Sequence, residues 1–454
     1  MKLWQEIKKK MLSNPKQTVG EDETEITYED LVIYAESFAE RLAPHKGYGI
    51  LCNHELSTAI ALLACFAAEA TAIPLSIRYG EKHCRKIIDT IGMPYIISDV
   101  NNDLHVVDVD MGKYITPCET PALIMCTSGT SGNPKGVMLS EKNILTNVTD
   151  IAEYFDVDSS DITLIARPLY HCAVLTGEFL LSLFKGARIL FYSKSFNPFS
   201  LIKLIQEKNI SVFCGTPTLI ASMSTFIKDK NLLPIKKMAI SGECLTSYNA
   251  EKIKASFPST QIYSIYGLTE ASPRVSYLPP SMFNSYPTSV GIPLKSVEIK
   301  IVDENKKELP PGEIGELIVK GDNVMLGYYC DSKLTSKTKK NGWLHTKDLA
   351  YISKDGLLYI KGRKDNMIIR SGMNIYPQEI ENALLIDKRV DDALVYGIQE
   401  KDITKIGLKI KGDFENISEV KELCINLLPQ YQIPNIIEIV DEIPKNGSGK
   451  KIRK

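Results

Sequence analysis

Short apolar segments alternate with helical patterns along the chain as far as about residue 296, and this alternation constrains the fold most strongly. Thr27 begins one helical pattern, because a hydroxyl-bearing residue often caps a helix start. Another helical pattern covers Phe199–Lys208. The strands predicted in this region are Tyr48–Cys52, Tyr95–Ser98, Ala187–Tyr192, Ser211–Cys214, Met238–Ser241 and Gln261–Tyr266. Because strands that alternate with helices form largely parallel sheets, we expect an α/β domain whose sheets are flanked by helices.

The pattern of the chain changes beyond that point. Apolar residues between Val297 and Ile301 alternate with polar ones, and Gly315–Lys320 runs back after a turn. Such alternation is typical of antiparallel strands, so we predict an antiparallel β subdomain. The polar stretch Gly362–Asn366 is predicted to be a linker. Beyond it we predict a small α+β domain with helices at Pro377–Leu385 and Ser418–Leu428 and strands at Ala393–Ile398, Gly407–Lys411 and Ile436–Val440.

Length and composition exclude several classes of protein. A chain of 454 residues is too long for one hydrophobic core, and its net charge of −1 argues against a broad nucleic-acid-binding surface. The cysteines form no C-x-x-C pair, so we expect reduced thiols in a cytoplasmic protein and no zinc site. Met1–Leu12 is amphipathic but lacks the apolar core of a signal peptide. Ala59–Leu75 is interrupted by Glu69 and Pro74, which predicts a buried helix and no membrane insertion.

The segment Cys126–Gly136 interleaves glycines with hydroxyl-bearing side chains. Glycine lets a phosphate approach the main chain closely, and successive free N–H groups bind anions. Lys135 adds a positive charge, and the apolar run Ala122–Met125 before the segment is predicted to be a buried strand. A strand, a glycine-rich loop and a lysine together predict a site for a nucleoside triphosphate. The pattern G-x-x-x-x-G-K-[ST] is absent, however, because Gly136 follows the lysine, so a P-loop NTPase is disfavoured.

Further motifs follow this loop in a fixed order. They are Tyr266–Glu270, Pro311–Glu316 with Gly327–Tyr329, Trp343–Asp348, Gly362–Asp365, Gly372–Glu381 and Pro444–Lys450. Each motif alone is modest evidence, but together they cover nearly the whole chain. The sequence closely resembles the adenylate-forming enzymes, which include acyl- and aryl-CoA synthetases, nonribosomal-peptide adenylation domains and luciferase.

The resemblance implies an architecture and a reaction. A large adenylation domain would cover residues 1–362, and a small mobile α+β lid domain would cover residues 363–454. The enzyme would be an acid–thiol ligase that uses ATP and Mg²⁺. It would activate a carboxylic acid as an acyl-adenylate, release pyrophosphate and transfer the acyl group to a thiol. The acceptor would be coenzyme A or, as the alternative, the phosphopantetheine of a carrier protein.

The resemblance also assigns roles to individual residues. It implies ATP or AMP binding by Thr127, Ser128, Gly129, Thr130, Ser131, Gly132, Lys135, Gly242, Glu243, Tyr266, Gly267, Asp348 and Arg363. It implies catalytic roles for Lys450, Thr269, Glu270 and His171. It further implies a hinge at Asp365 and a thiol channel lined by the loop at Gly372.

These roles agree with the chemistry of the side chains. Tyr266 offers a flat apolar face to adenine, and Asp348 would accept the ribose hydroxyl groups with help from Arg363. Glu270 supplies a hard oxygen atom, which Mg²⁺ prefers. Lys450 would neutralise the charge that builds on the α-phosphate and the carboxylate, because positioning and electrostatic stabilisation dominate phosphoryl-type transfers.

The chain departs from the family pattern at several positions. Lys347 stands where the family nearly always has glycine, which could alter the turn before Asp348. Ser264 replaces a usual Asn or Gln beside adenine, and Asn446 replaces a threonine of the last motif. Ile265 stands where many relatives have glycine or alanine beside the acyl pocket, which would shorten that pocket.

The predicted substrate is a compact acyl or aryl acid without an α-amino group. Amino-acid-activating relatives place an aspartate where this chain has Pro168–Leu175, which contains no carboxylate. Without a partner, a buried ammonium group would be costly. Two alternatives stay open. His171 could be a packed core histidine, and the whole chain could be an AMP-binding regulatory protein that has lost catalysis.

Overall fold

The structure is a computed structural model. It describes residues 2–77, 80–101, 103–109, 114–128, 134–194, 196–227, 233–370, 373–400, 403–445 and 451–453.

The described helices are α1 Lys2–Leu12, α2 Tyr28–Ala39, α3 Glu55–Ala67, α4 Glu81–Ile91, α5 Glu141–Tyr154, α6 Cys172–Val174, α7 Leu181–Lys185, α8 Pro198–Glu207, α9 Pro217–Ser224, α10 Ser247–Ser256, α11 Ser332–Thr338, α12 Pro377–Leu384 and α13 Ile417–Leu427. A π-helical turn, Leu175–Leu180, joins α6 to α7.

The described strands of the amino-terminal part are β1 Thr18–Glu21, β2 Thr24–Thr27, β3 Gly47–Ile50, β4 Thr71–Pro74, β5 Tyr95–Val100, β6 Asp103–Asp108, β7 Leu123–Ser128, β8 Pro134–Leu139, β9 Ile162–Ile165, β10 Arg188–Phe191, β11 Val212–Gly215, β12 Lys237–Ile240, β13 Gln261–Gly267, β14 Arg274–Leu278 and β15 Ile292–Pro293. The later strands are β16 Val297–Val302, β17 Gly315–Gly321, β18 Gly327–Tyr328, β19 Lys339–Lys340, β20 Trp343–Ile352, β21 Leu358–Arg363, β22 Ile368–Arg370, β23 Met373–Ile375, β24 Val390–Glu400, β25 Ile403–Gly412 and β26 Ile436–Ile439.

Two large sheets form the amino-terminal part of the described chain. The first has the order β15-β14-β13-β12-β11-β9-β10-β1-β2, and its strands from β13 to β1 pair in parallel. The second has the order β18-β8-β7-β4-β3-β5-β6, with parallel pairing from β7 through β4 and β3 to β5. The helices bury their apolar faces: α3 packs on β4 and α4 on β8, while α1 buries Leu3 and Ile7 against other helices. The predicted α/β fold with parallel sheets is therefore confirmed.

Helix starts follow the sequence signals. Thr27 accepts a hydrogen bond from the amide of Asp30, whose side chain reaches back to the Thr27 amide. Ser140 and Asn143 form the same reciprocal arrangement at the start of α5. Each pairing satisfies amide groups that a helix start would otherwise leave free, so these residues fix where α2 and α5 begin.

An antiparallel sheet follows, as predicted. It has the order β16-β17-β20-β19, and β21 pairs with β20. The small carboxyl-terminal sheet, β24-β25-β26, packs with α12 and α13 around a core of its own that includes Ile380, Val395, Ile410 and Val420. Hydrophobic clusters of the larger part contain none of these residues. The predicted α+β carboxyl-terminal domain is confirmed at the level of fold.

Two predicted elements are wrong in their extent. Ala59–Leu75 is not one helix, because α3 ends at Ala67 and the chain then turns through Glu69, with φ 55°, into strand β4. Both elements are buried, so their composition is uniformly apolar and periodicity does not separate them. The predicted linker is also partly wrong, since Gly362 and Arg363 belong to β21 and pair with β20.

Candidate active site

Strand β13 carries its last residues to the carboxyl edge of the parallel strands, where ligands bind in open α/β sheets. Tyr266 lies at this edge, and the chain continues into a 3₁₀ turn that contains Thr269 and Glu270. Gly267 is required here by close packing, because a Cβ atom would lie 2.2 Å from the carbonyl oxygen of Pro273. The motif Tyr266–Glu270 therefore presents its side chains from a rigid strand end.

Tyr266, Asp348 and Arg363 form one hydrogen-bonded group. The Tyr266 hydroxyl group donates to Oδ2 of Asp348 at 2.5 Å, and Nη1 of Arg363 donates to Oδ1 at 3.2 Å. Burial raises the pKa of the Asp348 carboxyl group, while Arg363 lowers it. Burial and the neighbouring Asp348 also raise the pKa of Tyr266 well above its usual value. Three residues to which the resemblance assigned nucleotide binding thus lie together, although Tyr266 and Asp348 are 82 residues apart in the sequence.

The turn before Asp348 is held by its neighbours. The Thr346 hydroxyl group donates to the carbonyl oxygen of Leu317 at 2.7 Å and accepts from the Asp348 amide at 3.0 Å. Lys347 adopts φ 61°, the left-handed conformation that favours glycine. Its ammonium group lies 3.1 Å from Oδ2 of Asp365. The departure at Lys347 therefore keeps the backbone conformation of a glycine and adds an ion pair.

Glu270 has a partner that the sequence reasoning missed. The hydroxyl group of Tyr328, on strand β18, donates to Oε1 of Glu270 at 2.8 Å. The Tyr328 ring also lies 5.7 Å from the ammonium group of Lys135. Burial and the charge of Glu270 both raise the pKa of Tyr328, so it remains a donor at neutral pH. Tyr328 is part of the motif Gly327–Tyr329, but its position beside Glu270 depends on the pairing of β18 with β8.

The two ends of the glycine-rich loop are adjacent. Thr127 pairs with Lys135 across β7 and β8, and Ser128 pairs with Pro134. The predicted phosphate-binding residues Gly129, Thr130, Ser131 and Gly132 lie outside the described residues, as do Gly372 and Lys450. The structure therefore shows the base of the loop and not its phosphate contacts.

Gly242 and Glu243 follow strand β12 in the sequence, and in the structure they lie beside the start of helix α9. Glu243 accepts hydrogen bonds from the hydroxyl group of Thr218 at 2.6 Å and from its amide at 3.3 Å. A carboxylate at a helix start is stabilised by the unpaired amides there. Gly242 has φ 95°, which favours glycine. The geometry gives Glu243 a capping role, and its predicted nucleotide contact stays a prediction.

The predicted acyl side of the site follows β9. The rings of Tyr170 and His171 lie 4.1 Å apart, and α6 begins directly after His171. Burial raises the pKa of the next residue, Cys172, and the charge of Glu270 adds to this effect. Ile265 is buried in a hydrophobic cluster with Cys214.

Arg167, Glu178 and Arg274 are charged residues with little exposure to solvent. Arg167 pairs with Glu178 at 2.5 Å, and their side chains are 15% and 1% exposed. Arg274 is buried against Gly177, whose carbonyl oxygen accepts from its Nη2 at 2.9 Å, while Nη1 donates to the hydroxyl group of Tyr154 at 2.7 Å. Oε1 of Glu178 and both Nη atoms of Arg274 thus have partners within the protein, whereas Oε2 of Glu178 and Nε of Arg167 are buried without a hydrogen-bond partner among the described residues.

Two features are absent from the described residues. Among them, no group of three or more His, Cys, Asp or Glu side chains could hold a metal ion. Within the same part of the chain, none of the helices is both long and apolar enough to cross a membrane.

Comparison with known proteins gives one consistent result. The family model for AMP-binding enzyme matches residues 8–329, and that for AMP-binding enzyme C-terminal domain matches residues 379–450. A long-chain-fatty-acid–CoA ligase of Escherichia coli is 30% identical over 397 residues, which cover 85% of this chain and 70% of the ligase. A 2-succinylbenzoate–CoA ligase of Bacillus subtilis is 28% identical over 463 residues, which cover 96% and 93%.

A solved structure supports the same relationship. The o-succinylbenzoate coenzyme A synthetase of Bacillus subtilis, in complex with ATP and magnesium ion, matches with a TM-score of 0.87 and 25% identity. The match covers 99% of this chain and 98% of that enzyme.

Proposed function

Because the chain belongs to the AMP-binding enzyme family, we propose that it is an ATP-dependent acid–thiol ligase whose acceptor is coenzyme A. The observation that carries the proposal is the group formed by Tyr266, Asp348 and Arg363 beside Glu270. It offers an aromatic face, a buried carboxylate and a cation at the carboxyl edge of the sheet. The matched relatives, which are named as CoA ligases, support the same reaction and acceptor.

The first half-reaction joins the acid to AMP. An oxygen of the substrate carboxylate attacks the α-phosphorus of ATP, the bond from that phosphorus to the bridging oxygen breaks, and pyrophosphate leaves. Thr269, which lies in the turn after the strand end, would donate a hydrogen bond to the α-phosphate. Lys450 would balance the negative charge that accumulates there.

Asp348 would hold the nucleotide by accepting the ribose hydroxyl groups. The glycine-rich loop and Lys135 would bind the β- and γ-phosphates. Glu270 fits a magnesium ion, because a single carboxylate oxygen suits an ion that keeps several waters and bridges phosphates. That ion would neutralise phosphate charge, and Tyr328 would fix the orientation of the Glu270 carboxylate.

The second half-reaction transfers the acyl group. The thiol sulfur attacks the acyl carbon, the carbon–oxygen bond to phosphate breaks, AMP leaves and the thiol proton passes to solvent. We assign residues 1–362 and 363–454 to two domains that rotate about Asp365 between the half-reactions. In the second orientation the loop at Gly372 would line the thiol channel and Lys450 would withdraw.

The substrate we propose is a compact acid without an α-amino group. The first carboxylate after Pro168–Leu175 is Glu178, and it is already paired with Arg167. The segment Pro168–Leu175 lacks the aspartate with which amino-acid-activating relatives pair an ammonium group, and a buried ammonium group without such a partner would be costly. Ile265 stands where many relatives have glycine or alanine, so we expect its bulk to shorten the acyl pocket.

Pyrophosphate release tests the proposal directly. The protein is mixed with ATP, Mg²⁺ and one acid at a time from a panel of benzoates, short acyl acids, fatty acids and α-amino acids, each with and without coenzyme A. We expect release with a benzoate or a short acyl acid, followed by a thioester when coenzyme A is present. Release with α-amino acids alone would contradict the substrate assignment.

Two outcomes would replace the proposed acceptor or the whole proposal. A thioester that forms only on a phosphopantetheinylated carrier protein would favour the alternative acceptor. AMP binding without pyrophosphate release from any acid in the panel would favour the regulatory alternative.

A further inference from the structure

We propose that Lys347 is a positioning residue, which ties the hinge carboxylate of Asp365 to the ribose-binding strand and so restrains domain rotation. This inference rests on the proposed function, because it concerns the step between the two half-reactions.

The first support is the arrangement of two adjacent ion pairs. Asp348 of β20 lies opposite Arg363 of β21 and binds its guanidinium group. One residue earlier on β20, Lys347 reaches the 3₁₀ turn Lys364–Asn366 that follows β21. Its Nζ atom lies 3.1 Å from Oδ2 and 3.5 Å from Oδ1 of Asp365. Consecutive residues on one strand therefore hold the ribose site and the proposed hinge.

The second support is the backbone of Lys347. Its φ of 61° lies in the left-handed region, where a residue with a Cβ atom is strained and glycine is not. Glycine would fill the turn without strain, but it could not reach Asp365. The chain thus carries a strained residue at the one position of the turn from which the ammonium group bridges to the hinge.

The ion pair between Lys347 and Asp365 is weak enough to break when the domains rotate. The Lys347 and Asp365 side chains are 44% and 41% exposed, so solvent and salt weaken their attraction. An exposed pair of this kind changes a conformational equilibrium by roughly 2- to 5-fold. A change of this size shifts the equilibrium between the two domain orientations but does not prevent rotation.

Arg363 also lies near Asp365. Burial lowers the pKa of Arg363, whereas Asp348 and, to a smaller extent, Asp365 raise it. Its Nη1 atom is already bonded to Asp348. Removal of the Lys347 charge would therefore leave Asp365 without the cation that holds it directly.

Four variants of the full chain test the inference. Lys347→Met removes the charge and keeps the strained backbone, Lys347→Gly removes both, and Lys347→Arg keeps the charge. Lys295→Met is the control, because Lys295 forms an exposed pair with Glu153 away from the hinge. Two quantities are measured. One is the hydrogen–deuterium exchange rate of a peptide covering residues 358–370, and the other is the ratio of the thioester-forming rate, from preformed acyl-adenylate, to the adenylation rate.

For Lys347→Met and Lys347→Gly we expect both quantities to rise by about 2- to 5-fold. Lys347→Arg and Lys295→Met should match the parent protein. High salt should raise both quantities in the parent and leave Lys347→Met unchanged. Lys347→Gly should melt at the same temperature as the parent or higher. This result would separate a restraint on domain rotation from a contribution to stability.

Unchanged exchange and an unchanged rate ratio in Lys347→Met would overturn the inference, as would failure of Lys347→Arg to restore the parent values. The exchange measurement needs no acid. If the parent protein adenylates nothing, the proposed function fails, while the exchange data still decide whether Lys347 restrains the turn at Asp365.

Discussion

The carboxylate of Glu270 accepts a 2.8 Å hydrogen bond from the hydroxyl group of Tyr328, which lies 58 residues later in the chain. Glu270 sits in the turn after β13, whereas Tyr328 sits on β18 at the edge of the other large sheet. The contact therefore joins the two sheets across the proposed site. Because Oε1 of Glu270 accepts this hydrogen bond, Oε2 is the carboxylate oxygen atom that stays available to a ligand.

Tyr328→Phe should slow adenylation by about 10-fold, because a hydrogen bond to a charged group contributes about 1.5 kcal/mol or more. The Mg²⁺ concentration needed for half-maximal rate should also rise, since the carboxylate loses its fixed orientation. Tyr329→Phe is a matched control, because the Tyr329 hydroxyl group accepts a hydrogen bond from the Ile115 amide, whereas the hydroxyl group that donates to Glu270 is that of Tyr328. Equal effects of the two changes would contradict the role of Tyr328.

The ATP dependence of the rate should report the ionisation of Asp348. Burial raises the pKa of this carboxyl group and Arg363 lowers it, and only the ionised form accepts both ribose hydroxyl groups. ATP affinity should therefore fall as the pH drops through this pKa. Arg363→Gln removes the lowering effect, so the acidic limb of the kcat/KM profile for ATP should move to higher pH by about one unit or more.

The control for this shift is Arg389→Gln, because Arg389 pairs with Asp387 on the surface of the carboxyl-terminal domain. Its profile should coincide with that of the parent. An acidic limb in Arg363→Gln that stays in place would show that Asp348 does not govern ATP binding.

Lys450→Ala should slow adenylation by ~10²–10³-fold, by analogy with the loss of one preorganised electrostatic partner. Thioester formation from preformed acyl-adenylate should suffer much less, because the charge on the α-phosphate no longer builds up in that step. Single-turnover measurements of the two half-reactions distinguish the effects. Lys421→Ala, on the exposed face of α13, should leave both rates unchanged. Equal damage to both steps would refute the two-orientation scheme.

Asp365→Pro should preserve adenylation and abolish most thioester formation, because proline fixes φ near −65° and restricts rotation at the proposed hinge. Asp365→Ala loses the same carboxylate without the ring, so it should keep both half-reactions. Rapid quench of each half-reaction gives the comparison. Normal overall turnover in Asp365→Pro would mean that the hinge lies at another residue.

Arg167→Met should lower the free energy of unfolding by about 3–5 kcal/mol, because Glu178 would remain buried without its partner. The double variant Arg167→Met/Glu178→Leu should recover most of this loss, since no unpaired charge is left. Urea unfolding followed by circular dichroism measures both values. A double variant no more stable than the single one would show that the pair contributes packing and not charge compensation.

The sequence predicted those features that depend on local order. Thr27 begins a helix as predicted. Tyr266, Asp348 and Arg363 also meet, but that expectation came from the family resemblance and not from local order. The bond between Tyr328 and Glu270 could not be predicted, because it depends on β18 joining the edge of a sheet. The ion pair of Lys347 was missed for a similar reason, since it requires the register of β20 against β21.

The separate cores of the two parts of the chain have a consequence for how such proteins diversify. Ile380 and Val420 belong to a cluster confined to the carboxyl-terminal part, whereas Tyr266 packs against the large cluster of the amino-terminal part. A chain cut after Asn366 would keep Tyr266, Asp348 and Arg363. It would lose Lys450 in the same event. A single break in the gene could thus turn an enzyme of this design into a nucleotide sensor.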